Sequence, residues 1–126
     1  MQLDTNGLPA IADFRFEKII PDFERHDIGG IDTTAETPGE FVILHHPASP
    51  VAGWGTELGG KTLADYPNAM HAKSLALEFR RCKKWKVPLY HEIDQVIDGI
   101  ARHYTRLMVP LVDEAGTVTR IVYAVR

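Results

Sequence analysis

The feature that most constrains this chain is a pair of tight turns near its C-terminal end. Asp98-Gly99, flanked by Ile97 and Ile100, has the make-up of a two-residue type I′ hairpin turn, since Asp and Gly accept positive φ at low cost. Counting outward from that turn sets a register. Ile97 faces Ile100, Asp94 faces His103, Ile93 faces Tyr104, His91 faces Arg106 and Tyr90 faces Leu107. Leu107, Val109 and Leu111 share one face by period-two alternation. Pro110 interrupts that run and donates no ladder hydrogen bond, so a bulge or an unpaired position is expected there. Asp113-Glu114-Ala115-Gly116 supplies a second turn, and residues 117–125 are rich in β-branched side chains. A one-residue slip decides whether Ile121, Tyr123 and Val125 or Val122 and Ala124 face the core. The first set is bulkier and leaves Arg120 outside, so it is expected inward. The chain therefore closes on a three-stranded antiparallel meander.

One long amphipathic helix precedes the meander. Across residues 68–86, Ala72, Leu75, Ala76, Phe79 and Cys82 or Lys83 recur at i, i+3, i+4, i+7, with Met70, Leu77 and Trp85 flanking the stripe. Pro67 suits the first turn, and Pro88 ends the run. Further upstream, residues 62–66 suit one short helical turn, and residues 26–34 and 40–47 are strand candidates around a Glu36-Thr37-Pro38-Gly39 turn. Pro47, Pro50 and Gly53, Gly55, Gly59 and Gly60 make the intervening stretch loop-rich. Residues 12–25, with Phe14, Ile19, Ile20 and Phe23, suit short helical pieces. Residues 1–11 are expected to be a flexible lead, and residues 12–126 one domain. Strand pairs at both ends with helices between predict an α+β fold, a five-stranded antiparallel sheet with helices on one face. The other face would be solvated or covered by a partner.

Composition excludes several functions. With 126 residues there is room for one modest core, and 44% hydrophobic with 25% charged residues is ordinary for a soluble domain. A net charge of -3 gives no general attraction to nucleic acid. No apolar run is long enough to span a membrane, and no secretory signal is visible, so a cytoplasmic protein is expected. The lone Cys82 excludes an intrachain disulfide, and its place on the apolar stripe argues for an inert, buried thiol.

Chemistry-bearing patterns are sparse. His45 and His46 alternate across a strand and cannot share one ion, and no HxxxH or CxxC spacing occurs, so no metal site is expected. Ser49 and Ser74 lie in no nucleophile elbow. Gly59-Gly60-Lys61-Thr62 lacks the upstream glycine spacing of a phosphate-binding loop. Arg80, Arg81, Lys83, Lys84 and Lys86 crowd the end of the helix, where cations complement the negative helix terminus. Trp54, Tyr66, Phe79, Tyr90 and Tyr123 can supply either core or a pocket with polar tips.

Three stretches carry a family resemblance. They are Ala12-Asp13-Phe14 with Ile19-Ile20; Trp54-Gly55 with Leu58-Gly59-Gly60-Lys61-Thr62-Leu63-Ala64-Asp65; and Tyr104-Thr105-Arg106-Leu107-Met108-Val109-Pro110-Leu111 before the acidic-Gly turn. In this order they resemble the PAS domain, and more narrowly a bacterial family of small stand-alone PAS-like proteins. The resemblance implies a sensory or regulatory module in signal transduction, with a small ligand held between helices and sheet, output to a protein partner, and a homodimer. It implies no catalytic residue and specifies no cofactor. On that reading the ligand-binding residues would be Trp54, His71, Leu75, Phe79, Tyr90, Leu107, Val109 and Tyr123. Tyr90, Leu107 and Val109 would form the sheet side of the pocket. Two alternatives stay open: a small α+β enzyme pairing His71 with Asp65 or Glu78, and a ligand-free dimerisation or adaptor module with a filled core.

Overall fold

In the computed structural model, residues 28–47, 58–97 and 99–126 are described. The expectations for residues 1–11 and 12–25, for Trp54 and for Asp98 lie outside them. Five strands form one antiparallel sheet: β1 (Ile28–Asp32), β2 (Val42–His45), β3 (Leu89–Ile97), β4 (Ile100–Val112) and β5 (Val118–Val125). Their spatial order is β2-β1-β5-β4-β3, so the first and last of the described strands meet at the centre. One long helix, α1 (Ala69–Trp85), and two 3₁₀ turns (Pro38–Glu40 and Leu63–Asp65) complete the described elements. α1 lies on one face of the sheet against β4 and β5, with both 3₁₀ turns beside it.

The hairpin has the expected register. Ile97 pairs with Ile100, Ile93 with Tyr104 and Tyr90 with Leu107, while Gly99 takes φ 78°. Pro110 keeps its place opposite Ile121, and the irregularity falls one residue later, between Leu111 and Val112. β3 has already ended at the Leu89–Met108 pair, so Pro110 has a ladder neighbour on one side alone. The shift lets Val118 and Ile121, three residues apart, both join the helix-side core, while Arg120 stays exposed.

α1 is delimited by its own caps. The Asn68 side chain accepts a hydrogen bond from the His71 amide at 2.9 Å, which places Pro67 just ahead of the cap rather than in the first turn. At the other end Lys86 adopts the left-handed conformation, φ 54°, and its amide returns to the Cys82 carbonyl at 3.0 Å. The helix thus ends at Trp85, three residues before Pro88. Its stripe of Ala72, Leu75, Phe79 and Cys82 is buried, whereas Met70, Leu77 and Trp85 are exposed. Lys83 ties the helix to the sheet: its ammonium donates to the Thr33 carbonyl and sits 5.4 Å from the centre of the Phe41 ring.

The β2 edge is covered by the chain itself. The Ile43 amide donates to Lys61 O at 2.7 Å, Gly60 donates back to Ile43 O at 2.6 Å, and Leu63 donates to Phe41 O at 3.1 Å. Gly60 makes this return with φ 83°, a conformation that suits glycine. The segment that follows is locked by Asp65, whose carboxylate accepts from both the amide and the hydroxyl of Thr62.

The sheet buries apolar side chains on both faces. Ile31, Ile43, Ile93, Tyr104, Met108, Val112, Val118, Ile121, Tyr123 and Val125 join the helix in one cluster. Ile28, Val109, Leu111, Val122 and Ala124 form a second cluster, with Leu107 against it. The expectation of a solvated or partner-covered second face is thus not met at its centre. Removing the α1 cap tests the local account: Asn68→Ala should lower stability by about 1 kcal/mol in urea unfolding, and Asn68→Ser should restore most of it.

Candidate functional site

Alternation along the strands decides which side chains share the face that carries α1. On β3 these are Leu89, His91, Ile93 and Gln95; on β4 they are Arg102, Tyr104, Arg106 and Met108; on β5 they are Ile121, Tyr123 and Val125. The inward choice of Ile121, Tyr123 and Val125 is the expected one. Leu107 and Val109 were expected on this face and instead point the opposite way. Tyr90 goes with them and is 61% exposed. The physical reason is the β4–β5 ladder: Met108 lies opposite Tyr123 and Leu107 opposite Ala124, so an inward Tyr123 requires an inward Met108 and an outward Leu107. Of the eight expected residues, His71, Leu75, Phe79 and Tyr123 converge between helix and sheet; Tyr90, Leu107 and Val109 do not.

What converges there is unusually polar. His46 Nε2 lies 3.2 Å from the Tyr66 hydroxyl, the Tyr66 and His71 rings meet edge-on at 5.5 Å, and Tyr123 packs edge-on against Phe79 at 5.2 Å. Tyr123 reaches this position because Gly29 lies opposite it on β1. A β-carbon on Gly29 would fall 2.6 Å from the Tyr123 ring and 2.8 Å from Pro47. Arg106, which the hairpin register pairs with His91, is only 6% exposed in the same interior. Its charge faces Tyr104, Glu78, Tyr66 and Tyr123. Glu78 on α1 holds Arg81 at 2.7 Å and lies 3.4 Å from His91 Nε2.

Burial sets the protonation of this cluster. It pushes the Tyr66 hydroxyl up to about 12 and the Tyr104 hydroxyl upward as well, so both phenols stay protonated. It lowers His71 to about 4, helped by the positive fields of Arg106 and Arg102, so His71 is neutral at physiological pH. Arg106 is also shifted downward by burial but remains a cation, as guanidinium groups do. Cys82 is buried, its thiol pushed up to about 12, and donates to Val87 O at 3.6 Å, the inert role its place on the stripe suggested.

The acid–base pairs suggested for an enzyme are otherwise engaged: Asp65 serves Thr62, and Glu78 serves Arg81 and His91. Among the described residues no three His, Cys, Asp or Glu side chains group as a metal site, and no helix is long and apolar enough to cross a membrane. A separate open groove of about 440 Å³ runs beside α1, bounded by Pro38, Gly39, Ala64, Ala72, Leu77 and Arg80. None of the expected ligand residues among those described borders it.

Arg106 and Tyr104 were legible as inward-facing only by combining the Asp98-Gly99 register with the β4–β5 pairing. Two outcomes test the site's architecture. Gly29→Ala should destabilise by about 1–3 kcal/mol and perturb the Tyr123 ring in near-ultraviolet circular dichroism. For His71, an unfolded chain titrates near 6.5 and the folded one near 4, so the unfolded state binds more protons as pH falls through that window. Stability should therefore decline from pH 6.5 towards 4, and His71→Gln should remove on the order of 2 kcal/mol of that decline in urea midpoints at pH 4.5 and 7.

No protein-family model matches this sequence, and no curated protein does. Solved structures do. The PAS domain of BvgS from Bordetella pertussis aligns with 78% of this chain and 73% of its own, at a TM-score of 0.59 and 19% identity. A fungal LOV-domain photoreceptor, linked to a conserved pathway integrating blue light and oxidative stress, aligns with 92% of this chain and 85% of its own, at a TM-score of 0.50 and 15% identity. LOV domains are a PAS subfamily, and with the strand order β2-β1-β5-β4-β3 and helices on one face these likenesses show that the chain has the PAS fold.

Proposed function

We propose that this chain is a sensory domain that binds a small molecule between α1 and the sheet and reports occupancy to a protein partner, without catalysing a reaction. The observation that carries the reading is the polarity of the interior. A purely structural core of this size gains nothing from enclosing Arg106, His71, His46 and three tyrosines, because each polar group costs free energy unless it is matched. Grouped polar side chains within an apolar surround are the arrangement that orients a bound molecule. The likeness to a PAS domain and to a photoreceptor domain supports a sensory role.

The residues assigned to the ligand are His71, Leu75, Phe79 and Tyr123, with Tyr66, Tyr104, Arg106 and Met108 added. A second reading, an adaptor or homodimerisation module, draws on the exposed apolar side chains of α1, Met70, Leu77 and Trp85. Gentle purification followed by native mass spectrometry and an absorbance spectrum separates the two. The sensor reading expects a non-covalent adduct or a chromophore band that disappears on unfolding. A bare mass at twice the chain, unaltered by any added small molecule, would favour the adaptor.

A further inference from the structure

Arg106 is the only permanent cation among the fully buried side chains described, at 6% exposure, and Nε has no hydrogen-bond acceptor among the described residues. Its electrostatic partners are three phenols and one carboxylate. That carboxylate, Glu78, is turned to Arg81 at 2.7 Å and to His91 at 3.4 Å. The phenols of Tyr66 and Tyr104 stay protonated, so they present hydroxyls and not charges. Arg102 lies on the same face two residues before Tyr104 and adds to the positive field that reaches His71. Among the described residues, Arg106 is therefore a buried cation with an unmatched donor. An acceptor-only group is its chemical complement, and the planar fork of a guanidinium matches a carboxylate in two parallel hydrogen bonds.

We propose that Arg106 is the recognition residue for a small organic carboxylate, whose oxygens face the guanidinium and whose carbon body lies among Leu75, Phe79 and Met108. This inference rests on reading the helix–sheet interior as the ligand site, and it names the ligand's chemistry. Leu75, Phe79 and Met108 belong to the apolar cluster of the sheet face that Arg106 shares, so the recognised molecule is an anion with an apolar remainder and not a bare inorganic ion.

The test uses the full chain with formate, acetate and benzoate as probes, against chloride at equal ionic strength and against benzamide as the uncharged counterpart of benzoate. In wild-type protein the Arg106 Nε–Hε resonance should shift saturably with benzoate, more weakly with acetate and formate, and not with benzamide. Benzoate affinity by calorimetry should fall at least tenfold in Arg106→Gln and recover partly in Arg106→Lys, which keeps the charge and loses the fork. The wild-type resonance gives the answer even where a variant does not fold. Equal responses to benzoate and benzamide, or carboxylates acting only as chloride does, would overturn the proposal. If the purified chain carries an uncharged molecule and the Arg106 resonance ignores carboxylates, the anion assignment fails while the sensor reading stands. If nothing binds, both fail.

Discussion

The pairing of β4 with β5 is the constraint on which the rest of this structure depends. Once Met108 lies opposite Tyr123, period-two alternation assigns every neighbouring side chain to a face. Tyr104, Arg106 and Met108 go to the helix side, and Leu107, Val109 and Leu111 to the other. The shift between Leu111 and Val112 absorbs the odd residue near the second turn, so that Val118 and Ile121 both face the helix. The hairpin then carries the same parity out to β3, placing His91 and Ile93 inward and Tyr90 outward. Change that register by one residue and the interior would hold Leu107, Val109 and Leu111, a drier core.

That parity places His91, Tyr104 and Arg106 on the helix side and Leu107, Val109 and Leu111 on the opposite face. The energetic consequences are consistent with one another. Enclosing His71 is tolerable because it is neutral, and it is neutral because burial and two nearby arginines disfavour its protonated form. Tyr66 is satisfied through His46, and its ring meets His71, so the 3₁₀ segment before α1, the helix and β2 meet through one polar contact chain. Gly29 completes the arrangement from β1 by leaving room for the phenol of Tyr123. Strands distant in sequence thus converge on one spot because β1 and β5, near opposite ends of the described chain, are neighbours at the centre of the sheet.

How much of this was legible in the sequence varied with the range of the determining interaction. The hairpin register, the bounds of α1 within a residue, the 3₁₀ turn after Thr62 and the inward set of β5 all follow from local chemistry: a Gly at positive φ, an Asn cap, an alternating run. The inward face of β4 did not. Leu107, Val109 and Leu111 are the more apolar set, and the rule that apolar residues face the core selects them. The rule misleads here because the sheet buries both faces, so hydrophobicity does not distinguish inside from outside. Tyr90 was misplaced by the same step, while its pairing with Leu107 was correctly read. Arg106 was visible as the partner of His91, yet its significance required knowing that this pair points at α1.

The two candidate places on the molecule differ in what they ask of a ligand. The groove beside α1 is open and lined by alanines, Pro38 and Leu77, with the exposed Lys73 and Arg80 among its lining. Charges so exposed are screened by water and salt and confer little discrimination. In the interior the same charge on Arg106 acts through a medium of much lower polarity, where each matched hydrogen bond counts for more and each mismatch costs more. A molecule recognised there is selected by its charge and shape together. On the proposed reading it would lie between α1 and the sheet, so its arrival would alter the packing between the two layers.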